Sequence, residues 1–265
     1  MNYERDMEVA LTYYRALIQG QASLVFQPIV QQGASSIVLY QEALVRLSAG
    51  PSQSNPGPAQ FVPALERLGL IRVLDHTVMM AVVNRLEVDP TARLGCNLSA
   101  QSLTSDALWD SLIERLLIHP DVAARLTLEI TETAPLANFE AACVFVRRLQ
   151  KAGCRIALDD FGAGHSSLAF ANAIRPHVIK IDSSFVHAAR RDISAADRLR
   201  KLAALCQTLA PYVVGEGIES TGDIELAAMA NVGWLQGNGT GLPLPFNPSL
   251  DLCVFDTQKV ALWGG

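Results

Sequence analysis

The sequence contains no run of apolar residues long enough to cross a membrane and no segment with the pattern of a signal peptide. Its five cysteines are odd in number, and none has the close spacing that is typical of a disulfide framework or a zinc site. This use of cysteine favours a reducing compartment. We therefore expect a cytoplasmic domain that does not insert directly into a membrane.

Positive charge is also scarce. The chain has 21 Lys and Arg residues against 26 Asp and Glu residues, which gives a formal net charge of −5. A protein with this balance has no general affinity for nucleic acid, so DNA is not an expected partner. If such a protein binds an anionic ligand, it needs local cations or metal ions at the binding site.

Low-complexity sequence is confined to residues 50–58, a Pro-, Gly- and Ser-rich stretch that we interpret as a surface connection within one domain. The rest of the chain alternates between short apolar strands and amphipathic helices. Helices are predicted at about 59–68, 72–88, 102–118, 135–150, 197–209 and 221–231, with one more in the tail from residue 248. Eight strands are predicted, at 23–30, 37–46, 94–98, 126–130, 156–158, 178–182, 212–215 and 234–237. Alternation of this kind over about 240 residues is typical of a (β/α)8 barrel.

The first two predicted strands depart from the ideal barrel. Gly33 lies in the short turn between them, and this arrangement is typical of an antiparallel hairpin. The predicted fold is therefore α/β, a modified TIM (β/α)8 barrel with an antiparallel first strand. We divide the chain into an N-terminal helix at 1–20, which could be the stub of a linker, and a barrel domain at 21–265.

Two adjacent carboxylates, Asp159 and Asp160, directly follow the buried strand at 156–158. Like charges this close raise one another's pKa unless a positive charge lies between them. Carboxylate oxygens suit Mg²⁺ or Mn²⁺, so a divalent cation is the usual solution. A bare Asp-Asp pair is equally compatible with an Asx-type turn after a strand.

Seven of the predicted strands, this one included, have a polar side chain at or near their end. These side chains are Glu42, Asn97, Glu129, Asp159, Lys180, Glu216 and Gln236. Because the carboxyl ends of barrel strands meet at one rim, we expect these side chains to converge there. So many carboxylates cannot all ionise in a shared cavity without cations. One or two divalent ions would neutralise them, and two-metal sites hydrolyse phosphate esters.

Two other reactions use similar residues. A Schiff base on Lys180, as in aldolases, does not need so many carboxylates. Proton abstraction of the enolase type needs three acids and a lysine, and the spacing alone leaves this alternative open.

The motifs that carry these residues form an ordered series. They are Phe26-Gln27-Pro28-Ile29, Glu42-Ala43-Leu44 with Arg46, Asn97-Leu98-Ser99, Glu129-Ile130-Thr131-Glu132, Asp159 to Gly164, Lys180-Ile181-Asp182, Glu216-Gly217-Ile218-Glu219 and Gln236-Gly237. Over residues 20 to 246 this series resembles the EAL family of cyclic-di-GMP phosphodiesterases. The resemblance makes 21–265 an EAL-type barrel domain. It implies hydrolysis of cyclic-di-GMP to linear 5′-pGpG with Mg²⁺ or Mn²⁺, one ion or two.

The resemblance also implies roles for individual residues. The metal ligands would be Glu42, Asn97, Glu129, Asp159 and Asp160. Catalysis would involve Glu216 and Lys180 together with Glu42 and Asp160. Substrate contacts would come from Gln27, Arg46, Glu219 and Gln236. Glu132 would steady the loop after Asp160, and that loop would link the site to a homodimer contact.

Members of this family are often joined to sensory or diguanylate cyclase domains, so a fused or separate domain of this kind is an expected partner. Some domains of the family are catalytically silent cyclic-di-GMP receptors or protein-interaction modules. Those domains usually lack part of the metal set, which is complete here. Leu242 stands where the family usually has an arginine near the ligand, and this difference bears on substrate affinity.

Overall fold

The computed structural model describes residues 3–47, 58–131, 136–163 and 168–245. The strands in these ranges are β1 Ala22–Gln31, β2 Ala34–Leu47, β3 Leu94–Ser99, β4 Leu126–Thr131, β5 Arg155–Phe161, β6 Val178–Ile181, β7 Tyr212–Gly215, β8 Trp234–Leu235 and β9 Leu244–Pro245. The helices are α1 Tyr3–Ile18, α2 Pro58–Arg67, α3 Ile71–Val88, α4 Ala107–Ile118, α5 Pro120–Ala123, α6 Phe139–Lys151, α7 Leu168–Ile174, α8 Ser183–Ala189, α9 Ile193–Leu209 and α10 Thr221–Met229. None of the described helices combines the length and the apolar character needed to cross a bilayer.

The strands close into a barrel. From β2 to β8 they lie side by side in chain order, and each pairs with the next in parallel. β1 closes the barrel by pairing antiparallel with β2 on one side and with β8 on the other. The short β9 pairs with β1 at Val25 and Phe26. The modified TIM barrel with an antiparallel first strand, predicted from the sequence, is confirmed.

Helix boundaries differ from the prediction where a capping side chain sets them. The helix predicted to start at residue 102 begins at Ala107, because the Asp106 carboxylate accepts a hydrogen bond from a backbone N–H of the first turn. The helix predicted from 135 begins at Phe139, behind the cap Asn138. α8 was not predicted as a separate helix, and the predicted helix in the tail from residue 248 lies outside the described residues.

The barrel has two apolar cores. The larger one lies between the strands and the helices. The smaller one fills the barrel interior, and its buried members are Ile29, Leu39, Tyr40, Ala157, Val178 and Val214. Because side chains alternate along a strand, the residue two positions after an interior position also points inward. In β2, β5 and β6, and directly after β7, this places Glu42, Asp159, Lys180 and Glu216 next to the apolar interior layer.

Gly95 on β3 is required by this packing. A Cβ at this position would lie 2.6 Å from the Tyr40 ring and 2.7 Å from Oε1 of Glu129. We expect Gly95→Ala to destabilise the protein by about 1–3 kcal/mol, the usual cost of overpacking. Urea unfolding would measure this cost. Gly233→Ala is the matched control, because a Cβ there has no neighbour within 4 Å. Equal midpoints for the two variants would contradict the packing argument.

α1 packs on α2 at the side of the barrel. The buried Tyr13 ring stacks on Phe61 with centroids 5.0 Å apart. Near the other end of the pair, Arg67 donates hydrogen bonds of 2.8 and 2.7 Å to the Asp6 carboxylate. The N-terminal helix is therefore held to the rest of the molecule by both apolar and ionic contacts.

Candidate active site

Lys180 stands at the centre of the carboxyl rim of the barrel. Its side chain is only 1% exposed. The ammonium Nζ lies 2.5 Å from Glu129, 2.9 Å from Glu216, 3.0 Å from Asp159 and 3.3 Å from Glu42. Side chains from four strands or strand ends thus meet at one cation. The predicted convergence at the rim is observed.

Glu42 is the best-anchored of these acids. Asn97 donates a hydrogen bond of 2.6 Å to one carboxylate oxygen, and Gln236 donates one of 2.5 Å to the other. Burial opposes ionisation of Glu42, but Lys180 and these two amides together hold its pKa below the ordinary value. These contacts favour the ionised form of Glu42. Since Asn97 uses its nitrogen here, its oxygen is the atom with which it would bind an ion.

If the remaining acids were all ionised, they would carry more negative charge than one lysine neutralises. Burial raises the pKa of Glu129 well above its ordinary value, and the neighbouring Glu42 adds to the effect. Burial, followed by the charge of Asp159, does the same to the pKa of Glu216. In addition, Oε1 of Glu129 is buried without a hydrogen-bond partner. Divalent cations fit such a site, because their positive charge would favour the ionised carboxylates and they would bind the oxygen that has no hydrogen-bond partner.

Two groups of carboxylates have the spacing for ions. Oxygens of Glu42, Glu129 and Asp159 all lie within 4.8 Å of one another, and so do those of Asp159, Asp160 and Glu216. Asp159 belongs to both groups. The arrangement suits two ions that share one carboxylate.

Asp160 reaches this site through an irregularity in β5. In a regular strand, adjacent side chains point to opposite faces, so Asp159 and Asp160 would be separated. The register of β5 against β6 shifts between Leu158 and Phe161, and Asp160 has a φ of +54°. This bulge turns its carboxylate back toward the rim. Burial raises the pKa of Asp160 to about 6, and the charge of Asp159 contributes to the shift.

A cavity of about 560 Å³ opens beside the acidic cluster. Glu42, Asp159 and Asp160 line its polar side, and apolar residues of α2 and α3 line the opposite wall. Arg46 also lines the cavity, four residues after Glu42 on the same face of β2. A ligand with apolar faces and a central anionic group would match this division.

The other predicted site residues take different positions. Gln27 is paired with Glu42 across β1 and β2, and its amide donates to the carbonyl of Gly241 at 3.0 Å. This contact places Leu242 beside the rim, where it is 57% exposed. Glu219 does not join the buried cluster; its side chain is 55% exposed and pairs with Arg190. Glu132 lies outside the described residues.

The sequence matches the EAL domain family over residues 11–243. The chain belongs to the EAL domain family. The catalytic members of this family are cyclic-di-GMP phosphodiesterases that use divalent metal ions, and this chain has acidic groups with the spacing to bind such ions.

Several relatives of this EAL domain are cyclic-di-GMP enzymes. The bifunctional diguanylate cyclase/cyclic di-GMP phosphodiesterase MucR of Pseudomonas aeruginosa is 28% identical over 249 residues, which are 92% of this chain and 36% of MucR. The cyclic di-GMP phosphodiesterase NbdA of the same organism is 32% identical over 251 residues, 91% of this chain and 31% of NbdA. The chain thus spans about a third of the length of these curated relatives.

Solved structures show the same fold. The MucR phosphodiesterase in complex with c-di-GMP has a TM-score of 0.78 and 30% identity, and the match covers 92% of this chain and all of that one. LapD of Vibrio cholerae bound to c-di-GMP has a TM-score of 0.77, covering 88% of this chain and 56% of that chain. LapD is 20% identical, so this second likeness concerns the fold alone.

Two residues that contact the segment after β7 were not predicted from the sequence. They are Arg190 and Asp223, which form a hydrogen bond with each other although they lie 33 positions apart in the chain. Their pairing depends on the packing of α8 against α10, which no local motif encodes. A capping pattern at Ser220 and Asp223 was the one signal in the sequence that pointed to Asp223.

Asp75 on α3 is a buried acid in the lining of the cavity. Its carboxylate accepts hydrogen bonds from Ser102 Oγ at 2.6 Å and from the backbone N–H of Ser99 at 2.9 Å. Burial nevertheless raises its pKa to about 7, and these two hydrogen bonds only partly oppose the shift. The folded state therefore holds this proton more tightly than the unfolded chain does.

We expect Asp75→Asn to flatten the dependence of stability on pH. Because the folded pKa of Asp75 lies near 7, above its unfolded value, its contribution to stability is complete below about pH 4 and is lost as the pH rises through 7. The free energy of unfolding of the wild-type protein should fall between pH 5 and pH 8, and about 2.5 kcal/mol of this fall should be absent in the variant. Urea unfolding at both pH values, in chelator, measures it. Asp121→Asn, with a side chain 75% exposed, should leave the difference unchanged; an equal flattening there would refute the assignment.

Proposed function

We propose that this EAL domain hydrolyses one phosphodiester bond of cyclic-di-GMP to give linear 5′-pGpG, with Mg²⁺ or Mn²⁺ as the cofactor. The observation that carries the proposal is the arrangement of acids at the rim. Two sets of three acidic residues, with Asp159 in both, lie around the buried ammonium of Lys180. The relatives MucR and NbdA, both named as cyclic di-GMP phosphodiesterases, support the choice of substrate.

Each member of the rim has a place in this reaction. Glu42, Asn97, Glu129 and Asp159 would hold one ion, and Asp160 would hold a second with Asp159 shared. Bound divalent ions would neutralise the carboxylates and polarise the phosphodiester toward attack by water. The donors are carboxylate and amide oxygens, which suit both Mg²⁺ and Mn²⁺.

Glu216 would accept the proton of the attacking water, and Lys180 would stabilise the negative charge of the transition state. Burial raises the pKa of Glu216 well above its ordinary value, which makes it a better proton acceptor for an attacking water. Lys180 stays protonated, because its four carboxylate neighbours outweigh the effect of burial and raise its pKa. Its ammonium would stabilise the negative charge that develops at the phosphorus oxygens. Arg46 at the cavity wall would bind a phosphate, and Gln27, Glu219 and Gln236 would complete the substrate contacts.

We also propose two protein partners for this domain, a second copy of the chain and a regulatory domain. A homodimer would form through the loop after β5, of which residues 164–167 lie outside the described residues. A fused or separate sensory or cyclase domain would control the reaction, since this chain corresponds to about a third of relatives such as MucR.

Product analysis tests the proposed reaction. Purified protein is mixed with cyclic-di-GMP in Mn²⁺, in Mg²⁺ and in excess chelator, and the nucleotides are separated by chromatography. We expect pGpG with either metal and none in chelator. Glu42→Ala should abolish the product, whereas Glu8→Ala on the exposed face of α1 should not change it. Tight nucleotide binding without turnover would refute the enzyme and identify a silent receptor or interaction module.

A further inference from the structure

The segment between β7 and α10, residues 216–220, carries Glu216 and Glu219 but contains neither helix nor strand. Backbone hydrogen bonds fix its inner half: Glu216 N donates to the carbonyl of Ile181, and Ile218 N donates to that of Gln236. Gly217 bends the segment with a φ of +68° and passes so close to α8 that a Cβ there would lie 2.5 Å from Cβ of Ser183. The outer half of the segment needs another support.

Asp223 provides that support from the first turn of α10. Its side chain is 1% exposed. One carboxylate oxygen accepts hydrogen bonds from the backbone N–H groups of Glu219 and Ser220, at 2.9 and 2.8 Å, and from the Ser220 hydroxyl at 2.9 Å. A single buried oxygen thus binds two consecutive amides of the segment.

Arg190, at the end of α8, completes the arrangement. Its Nε donates to Asp223 at 2.6 Å and its Nη2 at 2.8 Å, a bidentate pair. The same Nη2 lies 3.0 Å from the Glu219 carboxylate and 3.4 Å from the Gly217 carbonyl oxygen. One guanidinium therefore contacts Asp223 and two residues of the segment. A lysine could not reproduce this fork geometry.

The charge balance shows why the pair depends on both members. Burial opposes ionisation of Asp223, but Arg190 and the two backbone amides hold its pKa well below the ordinary value. Without Arg190, a buried carboxylate would lose its counter-charge while still bonded to the segment. The segment would then lose the contact that joins it to α8.

We propose that Arg190 and Asp223 are positioning residues that hold segment 216–220 so that Glu216 reaches Lys180. The kinetic part of this proposal rests on the proposed hydrolysis. The position of Glu216 matters because a displacement of about 1 Å in a reacting geometry can lower a rate by about a hundredfold.

Hydrogen exchange tests the positioning directly, without any need for turnover. In Arg190→Gln, the amides of Glu219 and Ser220 should exchange at least about tenfold faster, because their acceptor is no longer held. Arg191→Gln removes the adjacent, exposed arginine and is the matched control. Unchanged exchange of these two amides in Arg190→Gln would overturn the proposal. Asp223→Asn provides a second variant in which the same amides should lose protection.

Steady-state kinetics separates positioning from a general loss of stability. At a temperature at which all variants are folded, Arg190→Gln should lower kcat about 10- to 100-fold, with a smaller change in KM. Arg190→Lys should recover only part of this loss. A change in kcat of less than twofold would overturn the proposal. If the wild-type protein shows no turnover, the proposed hydrolysis fails by itself, and the exchange experiment still decides the role of Arg190.

Discussion

Asp159→Asn is expected to lower kcat for cyclic-di-GMP by about two to three orders of magnitude. Asp159 is the carboxylate that both candidate ion groups share, so its loss weakens both at once. Ions of this kind contribute several kcal/mol of transition-state stabilisation, and each 1.4 kcal/mol corresponds to about a factor of ten in rate. Initial rates of pGpG formation at saturating Mn²⁺ would measure the effect. Asp110→Asn, at a surface ion pair with Arg148, should keep the wild-type rate.

Metal titration gives the same prediction a second readout. By calorimetry with Mn²⁺, Asp160→Asn should lose one binding event, because Asp160 belongs to one group only. Asp159→Asn should weaken both events. Asparagine is the appropriate substitution at residue 160, because it tolerates the φ of +54° found there. Two undisturbed binding events in Asp159→Asn would mean that the ions are held elsewhere.

Lys180→Gln should have the largest effect on stability. The substitution removes the ammonium that forms ion pairs with four carboxylates, at a position only 1% exposed. Breaking a buried ion pair from one side usually costs about 3–5 kcal/mol, because the remaining charge is left uncompensated. We expect a loss of this size in chelator, measured by urea unfolding, and a strong loss of kcat as well. Lys201→Gln, with a side chain 70% exposed, should be nearly neutral.

The dependence on pH and metal identifies the cause of this loss. Without Lys180, the folded-state pKa values of Glu129, Asp159 and Glu216, already raised, should rise further. Stability gained from holding these protons is present at low pH and is lost as the pH rises, so the variant should be less impaired at pH 5 than at pH 8. Mn²⁺ should restore part of the stability. A pH-independent loss that metal does not relieve would instead indicate a packing defect.

Much of the site could be predicted from the sequence, because in a barrel the residues at the ends of successive strands come together at one rim. Glu42, Glu129 and Glu216 are far apart in the chain, yet each lies in the last part of an apolar strand or directly after one, and barrel closure brings these positions to one rim. The inward direction of these side chains follows from alternation along each strand. The prediction needed no knowledge of how the helices pack.

Other features depend on information that the local sequence does not carry. Strict alternation would have separated Asp160 from Asp159, and only the shifted register of β5 brings both to the rim. The contact between Arg190 and Asp223 depends on how α8 packs against α10. The start of α6 at Phe139 was set by a cap that an apolar-pattern argument overlooks. In each case a tertiary contact or a single side-chain hydrogen bond decided the structure.

The reversed direction of β1 determines from which side the barrel is reached. Ala22, where β1 begins, pairs with Leu47 at the end of β2, beyond Arg46. The polypeptide therefore enters the barrel at the mouth of the cavity, whereas a barrel of eight parallel strands is entered from the far end. α1 comes immediately before this entry and rests on α2, whose Phe61 belongs to the cavity wall. A force applied to α1 by a label, a surface tether or another domain would thus reach the cavity wall through α2, without passing through the strands of the barrel.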